Sequence, residues 1–191
     1  MPLNRLLDQN VTVAIGIDES GINDDNDMLQ EMRLVQKIHR VPGISSPSPT
    51  SHQVLHMATA NGAKATFFED RVGTLEPGKR ADLVVVDLDH ITEPYLDPET
   101  NPVDALLYRG KGGGVNTVIV DGEVLLRDRK LTRVNKDEVW AELKSRLSED
   151  LKPYEVQRKE VARRLGPYIQ KFYEEWPMDL VKPHYYYNGF E

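Results

Sequence analysis

Asp18, Asn23, Asp24, Asp25 and Asp27 crowd into a short acidic stretch directly after the apolar run Val11-Thr12-Val13-Ala14-Ile15-Gly16-Ile17. A carboxylate that follows a buried strand at its carboxyl end stands where parallel α/β architectures build their sites. There it can bind a metal ion or take a proton. Asp18 is therefore the candidate for both roles, with the capping of the next turn as its purely structural alternative. Glu19, Ser20 and Asn23 overhang the same place. These three are the candidates for substrate contact, Asn23 first, set against a loop that is simply solvated. The stretch is not a calcium loop: counting from Asp18, the sixth position is Asn23 where such loops need Gly, and the twelfth is Leu29 where they need Glu. His52 and His56, four residues apart on an expected helix, have a spacing that can grip zinc. No Glu adjoins His52 and no third ligand follows at a suitable distance, so they read as solvated helix residues.

Several elements must position these residues. Val11, Val13, Ile15 and Ile17 are β-branched at alternate positions with small residues between them, which predicts a buried strand. Leu3 to Asp8 predicts the end of a helix leading into it. Asp27 is placed to cap a helix from Met28 to about Arg40, with Met28, Met32, Val35 and His39 at helical spacing. A proline-containing loop follows, and then a helix capped by Ser51 that carries Val54, Leu55, Ala58 and Gly62. From Val72 the texture becomes extended. Pro77-Gly78 predicts a tight turn, and Leu83 to Val86 a strand buried on both faces. Val115–Ile119 and Val124–Leu126 predict a hairpin around Asp121-Gly122, with a further strand over Lys130–Val134. Asn101 to Tyr108 is ambiguous. The tail predicts helices, one with Val139, Trp140, Leu143 and Leu147 on a face, the other with Val161, Leu165, Tyr168, Ile169, Phe172 and Trp176, kinked or divided at Gly166-Pro167.

Composition bounds the function. The chain has 191 residues and a formal charge of -7, and its 24 Lys and Arg residues are scattered among 31 acids. No basic stripe forms, which argues against a nucleic-acid partner. The absence of cysteine excludes disulfides and thiolate metal sites and agrees with a reducing compartment. No segment approaches the ~20 apolar residues of a membrane span, and the N-terminus has no signal pattern. The expectation is a cytoplasmic protein with no membrane partner.

The order of the pieces carries a resemblance. Gly16-Ile17-Asp18, the Asn-containing acidic loop, Asp27-Met28 with Glu31-Met32-Arg33-Leu34, Met57-Ala58-Thr59-Ala60-Asn61-Gly62-Ala63, Val72-Gly73-Thr74-Leu75-Glu76-Pro77-Gly78-Lys79-Arg80-Ala81-Asp82-Leu83-Val84-Val85-Val86-Asp87 and Val118-Ile119-Val120-Asp121-Gly122 resemble the C-terminal part of the amidohydrolase superfamily. The likeness spans roughly Leu6 to Val134 and is closest to the deaminase and chlorohydrolase branch. It implies an α/β fold: the C-terminal fragment of a metal-dependent (β/α)8 barrel over residues 1–71, part of a flanking small β-sandwich over 72–134, and a helical tail over 135–191. It makes Val11 to Ile17 the eighth barrel strand, and Asp18 both metal ligand and catalytic carboxylate. The complete protein would hold a divalent metal, zinc or iron. The metal would activate a water that attacks the carbon bearing the amine of an aminated heterocycle.

The resemblance also places the family's His-x-His pair and its later metal-binding and proton-shuttling histidines upstream of Met1. A barrel of this type takes about 250 residues, so this chain is expected to be a C-terminal fragment. Alone it is expected to hold no metal and to be inactive, and to self-associate or to require an N-terminal half. A non-catalytic interaction module and a truncated remnant are the alternatives.

Overall fold

The computed structural model describes residues 3–18, 25–41, 43 and 48–174, and these fall into two compact units divided after Arg133. The first unit opens with α1 (Leu3–Asp8), followed by α2 (Met28–Ile38), α3 (Ser51–Ala58) and α4 (Ala60–Ala65). It continues through β1 (Leu83–Val86), α5 (Asp89–Thr92) and α6 (Pro102–Arg109) to a 3-10 turn at Gly112–Gly114. It closes with β2 (Val115–Val120), β3 (Glu123–Arg127) and β4 (Lys130–Leu131).

Local chemistry explains where the helices start. The Asp27 carboxylate accepts from the Leu29 N–H at 2.9 Å and caps α2, as its sequence position predicts. On α3 the cap is Thr50, one residue before the predicted Ser51. Thr50 and Gln53 satisfy each other's backbone N–H in a capping box, whereas Ser51 is buried and its hydroxyl accepts from Gln36 Nε2 at 3.0 Å. The single helix expected there breaks at Thr59, whose ψ of -93° is not helical; its hydroxyl donates to the Leu55 carbonyl at 2.7 Å. The ambiguous stretch is α6, with Asn101 as cap and Pro102 at the first helical position, where a missing N–H costs nothing. Three helices share one core. Met32 of α2, Val54 of α3 and Leu107 of α6 are buried together, and Ile15, Leu29, Val35, Leu55, Ala58 and Val103 pack against them.

The sheet is antiparallel in the order β1-β2-β3-β4. Asp121 and Gly122 have φ of 51° and 80°, the two positive values that a tight hairpin turn with right-handed strand twist requires. The predicted hairpin is thus present, with Val120 facing Glu123. Its turn is tied to the residues before β1 by an Arg80–Asp121 ion pair and by the Asp121 N–H donating to Asp82 Oδ1 at 2.7 Å.

Three expectations need correction. Val11 to Ile17 is not a strand: its side chains alternate between half-buried (Val13, Ile15, Ile17) and exposed (Thr12, Ala14, Gly16), and no described strand lies beside it to form a ladder. β1 is not buried on both faces, since Val84 and Val85 are 61% and 50% exposed. The last strand is only Lys130–Leu131, reached through a turn in which Asp128 and Arg129 both take positive φ. That turn is held by the Arg129 guanidinium, which pairs with Asp87 at 2.5 Å and donates to the Gly113 carbonyl at 3.1 Å.

The second unit holds α7 (Lys136–Leu147), capped by Asn135, and α8 (Pro153–Glu174). Pro167 sits inside α8 without dividing it, and neither helix buries a residue. Trp176 of the predicted apolar face lies outside the described residues. Among the described residues, no helix is long and apolar enough to cross a membrane.

Candidate functional site

Asp18 ends the segment that the sequence singles out. It is exposed and takes φ of 62°, a left-handed conformation uncommon for a residue with a side chain. Its position is set by the residues just before it. The Val11 N–H donates to the Leu6 carbonyl at 2.9 Å and fastens the segment to the end of α1. The Ile15 N–H donates to the Met57 carbonyl at 3.1 Å, and the Ile15 side chain reaches the core of Met32, Val54 and Leu107. The Val13 carbonyl accepts from Asn61 Nδ2 at 2.9 Å. Two contacts from the corner between α3 and α4 thus stand where strand neighbours were expected.

On the far side of the acidic stretch, Asp27 does more than cap. Its Oδ2 accepts from the Gly112 N–H at 3.2 Å, so one carboxylate joins the start of α2 to the glycine-rich turn before β2. Arg33, two turns along α2, donates from Nε to the Leu107 carbonyl at 2.9 Å and from Nη2 to the Gly110 carbonyl. These carbonyls are at the end of α6, where helical acceptors lack partners, and a guanidinium suits them in charge and in shape. A Cβ added at Gly110 would stand 2.4 Å from the Leu106 carbonyl oxygen, so the turn closes only with glycine there.

The other described candidates are not assembled into a site. Asn23, with Glu19 and Ser20, lies outside the described residues. His52 and His56 are exposed on α3. His39 is buried at 6% exposure, its carbonyl accepts from Asn4 at 3.0 Å, and burial lowers its imidazole pKa below the usual value. Among the described residues, no group of three or more His, Asp and Glu side chains is arranged to hold a metal ion. A catalytic zinc needs three protein ligands, and Asp18 is one exposed carboxylate. The donor set of the described residues does not by itself fit a metal centre.

Sequence reasoning gives Asn61 and Arg33 no role. Both act on backbone carbonyls far away in the chain, and the sequence signal for them is that each stands, as a side-chain donor, in a stretch that carries the family resemblance.

Comparison with known proteins puts this geometry in context. The sequence profile of the amidohydrolase family matches residues 1–125. A 5-methylthioadenosine/S-adenosylhomocysteine deaminase of Thermococcus onnurineus is 39% identical over 131 residues, 69% of this chain and 30% of that protein. The enzyme of the same name from Desulforudis audaxviator is 40% identical over 138 residues, 72% of this chain and 31% of that protein. Among solved structures, an adenosine deaminase from Xanthomonas campestris with bound zinc superposes with a TM-score of 0.68 at 30% identity, covering 75% of this chain and 32% of that one. An atrazine chlorohydrolase from Arthrobacter aurescens complexed with zinc gives 0.67 at 26% identity, covering 75% and 31%. The chain spans about a third of the length of the curated relatives it matches.

Proposed function

The chain belongs to the amidohydrolase family, and from that premise we propose that it is the C-terminal portion of a metal-dependent hydrolase acting on non-peptide carbon–nitrogen bonds. In this reading residues 1–71 end a (β/α)8 barrel, and Val11 to Ile17 takes up its place as the last barrel strand when neighbouring strands are supplied. Residues 72–134 belong to a flanking β-sandwich. Asp18 contributes its carboxylate to a centre whose other groups come from further segments of the whole protein, and there it serves as ligand and proton acceptor. The substrate class is an aminated heterocycle, with 5-methylthioadenosine, S-adenosylhomocysteine and adenosine as first choices because the relatives and neighbours carry those names. Water replaces the amino group, and ammonia leaves. Zinc accompanies the neighbouring structures, and this chain alone is expected to retain neither zinc nor iron.

The observation that carries the reading is the placement of Asp18. It is the carboxylate that ends the segment docked on the helical core, within the region matched by the family profile. A general base removed from such a centre lowers turnover by about 10²–10⁴-fold.

The test uses two proteins. The chain alone, incubated with zinc and desalted, should carry no stoichiometric metal and release no ammonia from 5-methylthioadenosine or adenosine. A chimera in which this chain replaces the matched third of the Thermococcus onnurineus relative should release ammonia. In that chimera Asp18→Asn should abolish turnover, whereas Asp25→Asn should leave it nearly intact. Turnover by the isolated chain, or equal effects of the two substitutions, would overturn the assignment.

A further inference from the structure

We propose that Asn61 is a positioning residue for Asp18, acting through the hydrogen bond from its side-chain amide to the Val13 carbonyl. The bearing of this bond on turnover rests on the function proposed above; its bearing on the position of Asp18 does not.

The segment from Val11 to Asp18 has no sheet partner among the described residues, so its path must be set by other means. Hydrophobic packing holds Ile15 in the core, and the Met57 carbonyl takes the Ile15 N–H. The Val11 N–H bond to the Leu6 carbonyl holds the start of the segment, and neither anchor fixes the backbone between Val11 and Ile15. Asn61 supplies a fixed point between these two: its Nδ2 donates to the Val13 carbonyl at 2.9 Å, in a half-buried setting that excludes part of the competing water. With Val13 and Ile15 both anchored to the α3–α4 corner, the direction in which the chain reaches Asp18 is determined.

The support for Asn61 is itself built in. α4 has six residues, too few to persist as a helix without outside contacts. Gly73, at φ of 95°, lies directly behind it: a Cβ there would stand 2.7 Å from Ala63 Cβ and 3.2 Å from Ala60 Cα. The Phe68 N–H closes the helix end by donating to the Ala63 carbonyl at 2.8 Å. The turn at Gly73 therefore backs α4, and α4 presents Asn61 to Val13. Asparagine is a poorer helix former than alanine, so its presence in the first turn of so short a helix is explained by the bond it makes outward.

Asn61→Asp separates positioning from helix stability. Aspartate has the same shape, and its charge suits the first turn of a helix, yet it has no donor for Val13 and sets a carboxylate against that carbonyl. In the isolated chain, hydrogen exchange of the Ile15 amide should quicken about five- to tenfold, the size expected for one lost hydrogen bond. Backbone order parameters from Val13 to Asp18 should fall together, while those of α2 and α6 stay as in the parent and the melting midpoint falls by no more than about 2–4 °C, the cost of one lost hydrogen bond. Asn61→Ala should loosen the same segment. Unchanged exchange at Ile15 in both variants would overturn the proposal. So would order parameters that fall as much in α2 and α6 as in Val13 to Asp18, which would make Asn61 a stability residue only. In the chimera, Asn61→Asp should lower kcat about tenfold at an unchanged KM, as for a group that orients a reacting residue without touching substrate. A chimera that is inactive with Asn61 in place refutes the proposed function and leaves the exchange result standing.

Discussion

Replacing Asp27 with alanine removes two interactions made by one side chain, and their sizes can be worked separately. Oδ1 caps α2 through the Leu29 N–H at 2.9 Å, and loss of such a cap costs about 1 kcal/mol. Oδ2 receives the Gly112 N–H at 3.2 Å. That contact is charge-assisted but exposed to water, which holds its worth to about 1 kcal/mol. Asp27→Ala should therefore destabilise the first unit by about 2 kcal/mol. At a denaturant slope of about 2 kcal/mol per molar, this lowers the urea midpoint by about 1 M. Asp27→Asn divides the sum. Asparagine caps as well as aspartate, but its single carbonyl oxygen cannot serve both N–H groups, so about half of the shift should remain. The assay is urea unfolding followed on the methyl resonances of Met32, Val54 and Leu107, which report the shared core and not the exposed helices α7 and α8. If Asp27→Asn unfolds with the parent, the Gly112 contact contributes nothing. If Asp27→Ala shifts the midpoint no more than an exposed control such as Glu149→Ala, neither bond of the Asp27 carboxylate stabilises the first unit.

Gly110→Ala should cost about 1–3 kcal/mol in the same urea assay because its Cβ would collide with the Leu106 carbonyl. Gly112→Ala, whose Cβ would meet Asp27 Oδ2 at 3.4 Å, should stay within about 0.5 kcal/mol of the parent. His39 has its pKa lowered by burial, so the unfolded chain binds the proton more readily than the folded one. Stability should then be full above the unfolded value of 6.5 and decline as pH falls below it toward the folded value. A His39→Gln variant should show a flatter melting-temperature profile over that range. Val84 and Val85 on the sheet and Trp140, Leu143, Leu165 and Phe172 on the tail helices are all at least half exposed, so the chain should self-associate at tens of micromolar, seen as a mass above 21.8 kDa by light scattering. A single species at the monomer mass would refute that expectation.

What the residues alone determine here is local. Asp27 before an amphipathic run specifies the start of α2, and Asp121-Gly122 between apolar runs specifies the hairpin, because caps and two-residue turns are short-range chemistry complete within a few residues. The alternation that picks out Val11 to Ile17 also locates Asp18 and places it in the family-matched region. Tertiary structure decides the rest. A strand exists only through its partner, so no pattern within 11–17 could make it one, and no pattern within 83–86 could report that Val84 and Val85 stay exposed. The shift of the α3 cap from Ser51 to Thr50 depends on Gln36 of another helix claiming the Ser51 hydroxyl. The bonds on either side of the acidic stretch join Asn61 to Val13 across 48 positions and Gly112 to Asp27 across 85. Such pairs are created when the helices pack and bring distant donors and acceptors together, and neither partner carries a mark of the other in the sequence.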